Sequence, residues 1–102
     1  MIATQRDKER IKRELIACLS SQREVRRIVI FGSFVGQGEP RDLDVAVFQD
    51  SREGYLPLAL KYRRAIRAIA REIPTDVVPL RLGLAPGSFL AEIERGEVIY
   101  ER

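Results

Sequence analysis

The chain has 102 residues, 45% hydrophobic and 32% charged, with a net charge of +3. That profile suits one folded domain over residues 1–102, with material for a single core and none for a separate acceptor-binding domain. There is no histidine and one cysteine, Cys18, so an intramolecular disulfide, a histidine-based zinc site and a Ser-His-Asp triad are excluded and acid-base work falls to carboxylates.

Thr4 and Asp7 form a capping-box pattern, and Ile11, Leu15, Cys18 and Leu19 then recur at helical spacing. A helix over about residues 5–21 is expected. Cys18 lies on its apolar stripe and reads as a small buried hydrophobe rather than a reactive thiol. The apolar run at residues 26–31 predicts a buried strand, and Phe34 to Pro40, with Gly36 and Gly38, a loop that opens with a helical turn. Residues 42–48 predict the next strand, and Ser51 to Pro57 a loop. Leu58, Tyr62, Ile66, Ile69 and Ile73 mark the buried face of one long helix that stops before Pro74. A third strand is expected from Thr75 to Leu80, where Pro79 points to an edge or a termination at its far end. Pro86 to about Arg95 predicts a short helix, stopped by Gly96, and Val98 to Tyr100 a last strand. The element order predicts an α/β (α+β) domain: a small mixed sheet backed by helices on one side. The apolar stretches are too short to span a bilayer and the N-terminus has no signal-peptide core, so no membrane association and a cytoplasmic address are expected.

Chemistry concentrates where the first two strands end and begin. Side chains alternate across a strand, so Asp42 and Asp44 share one face while Leu43 takes the other. Two carboxylates one pleat apart repel unless a cation joins them, and an oxygen-only donor pair suits magnesium held together with substrate phosphates. Asp76 begins a later strand in the same manner and would complete the group, serving the ion beside the nucleophile and able to take its proton. Gly32 and Ser33 follow the first strand. Glycine permits a tight turn whose amides can face phosphate oxygens, Ser33 adds a hydroxyl, and a short helix capped by Ser33 would add a favourable N-terminal dipole. Gly-Ser after a strand is commonly only a turn, and Asp-x-Asp commonly a solvated edge. Their joint occurrence with a later strand Asp points to nucleotidyl transfer with two magnesium ions and a nucleoside triphosphate donor.

The stretch from Phe31 to Val47 resembles the signature of the DNA polymerase beta-like nucleotidyltransferase superfamily. The strand Thr75 to Val78 and the tail Ile93 to Tyr100 resemble its minimal nucleotidyltransferase branch. The resemblance runs from about Arg27 to the end of the chain. It implies the polymerase beta-like fold, nucleotide-phosphate binding by Gly32 and Ser33, and metal binding and catalysis by Asp42, Asp44 and Asp76, with Mg2+ as cofactor and ATP as donor. It also implies an antitoxin role beside a HEPN-domain ribonuclease toxin, with AMP transferred to a tyrosine of that toxin. The alternative is an antitoxin that neutralises by occlusion, its nucleotide site decayed. Where relatives carry an Arg-Gly step this chain has Gly36, Gln37 and Gly38, and Arg41 is the nearest cation.

Lys61, Arg63, Arg64, Arg67 and Arg71 make a cationic surface on the long helix. A solvated face is the default reading, and the scarcity of aromatic residues argues against direct nucleic-acid binding. A homo- or hetero-oligomer is compatible with this surface.

Overall fold

The computed structural model describes residues 4–83, 91 and 93–102. Four strands, β1 (Val25–Phe31), β2 (Leu43–Gln49), β3 (Thr75–Arg81) and β4 (Glu97–Glu101), form one mixed sheet in the order β3-β2-β1-β4. β1 runs antiparallel to both β2 and β4, whereas β2 and β3 are parallel. A parallel pair needs a long crossover, and the helices between β2 and β3 provide it.

Helix α1 (Gln5–Leu19) starts at the expected capping box. The Thr4 hydroxyl accepts from the Asp7 amide at 3.1 Å, and the Thr4 amide donates to Asp7 Oδ2 at 3.3 Å. Ile11, Leu15 and Leu19 are fully buried, and Cys18 packs at the edge of the same core.

The observed helix differs from the single long one expected in where it starts and in its continuity. It begins at Tyr55, inside the stretch read as loop, because Pro57 falls in the first turn, where a missing N–H costs no intrahelical bond. It is also two helices, α2 (Tyr55–Ala65) and α3 (Arg67–Ala70). Ile66 leaves helical geometry at φ −109° and ψ 23°, and the Ile69 amide donates to the Ile66 carbonyl, three residues back rather than four. Neither glycine nor proline accompanies the break. The buried positions Ile66, Ile69 and Ile73 are all kept on the sheet, so tertiary packing sets the bend.

The three helices cover one sheet face, formed by Val25, Ile28, Ile30, Leu43, Val45, Val47 and Val77. The opposite face holds Val29, Phe31, Ala46 and Phe48 under Ile93, which belongs to a short helical stretch at residues 93–94. The expected helix from Pro86 to about Arg95 lies mostly outside the described residues. β3 is an edge strand, and Pro79 sits within it opposite Val47, as the proline rule requires. Among the described residues no helix is long and apolar enough to cross a membrane.

Candidate active site

The end of β1, the start of β2 and the start of β3 meet on the sheet face away from the three helices. Phe31 pairs with Asp44 across the antiparallel ladder, and Asp44 pairs with Asp76 across the parallel one. Residues paired across neighbouring strands share a face, so Asp44 and Asp76 stand side by side on strands roughly 4.8 Å apart. The Leu43 amide donates to the Pro74 carbonyl at 2.9 Å, which ties the first residue of β2 to the residue before β3 and holds this register. Asp44 is half-buried and Asp76 exposed; Ala46, Phe48 and Leu80 continue the face as an apolar floor.

Gly32 is required here for two separate reasons. Its φ of +77° lies in the left-handed region, and a Cβ at this position would collide with Oδ2 of Asp44. The chain then makes a single 3-10 turn, Gly32–Val35. Its N-cap is Phe31 and no side chain caps it, so the expected capping role of Ser33 is not found. The hydroxyl of Ser33 turns instead to Asp42, donating to Oδ1 at 2.9 Å, while the Asp42 amide points back at Ser33 Oγ over 3.5 Å. The side chain read as a phosphate ligand thus holds the first carboxylate, which sits just before β2 and is half-buried.

All five residues singled out in the sequence therefore fall in one neighbourhood. Gly32 touches Asp44, Ser33 bonds Asp42, and Asp44 pairs with Asp76. Among the described residues no three His, Cys, Asp or Glu side chains gather tightly enough to hold a metal ion in this conformation. The donors themselves are carboxylate oxygens, which match a hard divalent cation, and neither Asp42 nor Asp76 has a basic partner among the described residues. Arg41 is exposed.

The cationic helix surface is smaller than its sequence. Lys61 turns away from it, pairing with Glu24 at 2.9 Å and Glu53 at 3.0 Å, which leaves Arg63, Arg64, Arg67 and Arg71 exposed. One residue near the site escaped the sequence reading altogether. Lys8 lies three before Ile11 on the buried stripe of α1 and donates to the Gly36 carbonyl at 3.0 Å. Its place on that stripe was the available signal.

A family model described as "Polymerase beta, Nucleotidyltransferase" matches residues 13–102. The chain belongs to this nucleotidyltransferase family. A search of curated protein sequences returns no match. Among solved structures, the fold is similar to a chain of the toxin–antitoxin MntA–HpeT mutant, with a TM-score of 0.63 and 16% identity over 89% of this chain and 73% of that one. It is also similar to a chain of the tri-AMPylated Shewanella oneidensis HEPN toxin in complex with MNT antitoxin, with a TM-score of 0.62 and 16% identity over 93% and 73%. At this identity the likeness to this nucleotidyltransferase's neighbours is one of fold.

Proposed function

We propose that this nucleotidyltransferase moves an NMP group, AMP from ATP, to a hydroxyl acceptor, and that the acceptor is a tyrosine of a HEPN-type toxin for which it serves as antitoxin. The observation that carries the reading is the in-register pairing of Asp44 with Asp76, one pleat from Asp42 and against a glycine that has no room for a side chain. The neighbours with AMPylated-toxin and toxin–antitoxin partners support the choice of acceptor.

In this reading the amides after Gly32 and the Ser33 hydroxyl receive the triphosphate. Asp42, Asp44 and Asp76 are the residues that would hold magnesium. The metal would neutralise charge on the triphosphate and the departing pyrophosphate and acidify the acceptor hydroxyl. The acceptor oxygen forms a bond to the α-phosphorus as the bridging oxygen to the β-phosphorus departs with pyrophosphate. The acceptor proton passes to the exposed Asp76 carboxylate, which has no basic side-chain partner among the described residues. Before this, Ser33 must exchange its bond to Asp42 for one to phosphate.

That same Ser33–Asp42 bond favours a second reading. A site whose carboxylate and hydroxyl satisfy each other, with Gly36, Gln37 and Gly38 in a loop without a cation, suits an antitoxin that acts by occlusion alone. Incubation with magnesium, labelled ATP and the candidate toxin separates the two. Transfer to the toxin that disappears in Asp42→Ala and Asp44→Ala supports catalysis. Neutralisation that persists in both variants with no label transferred establishes occlusion.

A further inference from the structure

Lys8 opens the buried stripe of α1 that continues through Ile11, Leu15 and Leu19, and only 8% of it is exposed. An apolar side chain would fill the position at lower cost, because an ammonium removed from water must recover its hydration through specific partners. Those partners are the Gly36 carbonyl at 3.0 Å and the face of Phe34, whose ring centre lies 5.8 Å from Nζ. No carboxylate among the described residues lies within ion-pair distance of it.

The Gly36 carbonyl is the first link of a connected path into the site. The Gly36 amide donates to the Ser33 carbonyl at 3.2 Å, closing the 3-10 turn, and the Ser33 hydroxyl donates to Asp42 Oδ1 at 2.9 Å. The loop needs such an anchor. Residues 35–39 are exposed, and their inner side borders a cavity of about 450 Å³ shared with Thr4, Gln5 and Lys8, so little packing restrains them. The Lys8 ammonium gives this segment a charge-assisted bond from a helix.

We propose that Lys8 is a positioning residue for the nucleotide site: its ammonium clamps the loop after β1 from the first helix and so presets Ser33 and Asp42 for the incoming triphosphate. The proposal rests on the nucleotidyl-transfer reading for its ligand, but the clamp can be measured without one. Lys8→Met keeps the stem and its burial while removing the donor, and Lys8→Arg restores a cation. In the absence of nucleotide, NMR-detected exchange of the Gly36 amide should accelerate at least about tenfold in Lys8→Met and return toward wild type in Lys8→Arg. In calorimetry with Mg-ATP, affinity should fall about tenfold in Lys8→Met, without loss of thermal stability, with recovery in Lys8→Arg. Unchanged Gly36 exchange overturns the proposal whatever the nucleotide does. Faster exchange with unaltered Mg-ATP affinity overturns it as well, reducing Lys8 to a structural anchor. A wild-type protein that binds no Mg-ATP overturns the transfer reading and the nucleotide half of this proposal together, while the exchange data still decide the clamp.

Discussion

At the scale of single residues, Gly32 and Asp76 make opposite demands on stability and function. Any L-residue at position 32 would pay about 1–2 kcal/mol for its left-handed backbone, and its Cβ would also displace the Asp44 carboxylate. Gly32→Ala is therefore expected to lower unfolding free energy by at least that amount in urea titration, and to abolish Mg-ATP binding in the protein that remains folded. Retained nucleotide affinity would detach the turn from the site. Asp76 stands beside Asp44 with like charge. Replacing it by Asn should raise stability in chelator-treated buffer by a few tenths to about 1 kcal/mol. The same variant should lose nucleotidyl transfer. A destabilised Asp76→Asn protein would mean that the two carboxylates do not strain each other.

At the scale of elements, the weld between α2 and the start of β1 is polar. Tyr62 is fully buried, and its hydroxyl donates to Glu24 Oε2 at 2.8 Å, an oxygen that Lys61 also reaches at 2.9 Å. Tyr62→Phe removes the donor without opening a cavity and should cost about 1 kcal/mol, read as a shift in denaturation midpoint. Partial burial works to raise the Glu24 carboxyl, but the Lys61 ammonium and the Tyr62 hydroxyl outweigh it and hold the group below its ordinary range. A carboxyl depressed on folding contributes stability that is present above its unfolded value, near 4.3, and drains away as acid titrates it in the folded state. Stability measured from pH 6 downward should therefore fall through the region below about pH 4.3 less steeply in Glu24→Gln than in wild type. Identical pH profiles would remove Glu24 from the account. The break at Ile66 belongs to this scale too. Periodicity marked Leu58, Tyr62, Ile66, Ile69 and Ile73, all of them buried, but missed the small buried Ala59 and could not show the bend, because a bend made without glycine or proline leaves no mark in local sequence.

For the whole molecule, a ligand that binds only the folded chain stabilises it by mass action. Mg-ATP at a hundredfold excess over its dissociation constant should add about 2.7 kcal/mol, visible as a raised melting temperature. The shift should vanish in Asp42→Ala and Asp44→Ala, and a shift that survives both would place the nucleotide elsewhere. The chain alone determined a good deal of this. Alternation along the strand put Asp44 on the face opposite Leu43, the glycine after β1 announced a tight turn, and Pro79 announced an edge or a termination, because each is a property of a few consecutive residues. Other features waited for the fold. Nothing near Asp76 in the sequence selects β2 as its neighbour or aligns it with Asp44; that register comes from helices packing the opposite face and from bonds such as Leu43 to Pro74. The turning of Ser33 to Asp42, and the reach of Lys8 to Gly36, likewise join segments distant in the chain. Local pattern specifies which way a side chain points along its own strand or helix, and only the packing of the whole chain specifies what it meets there.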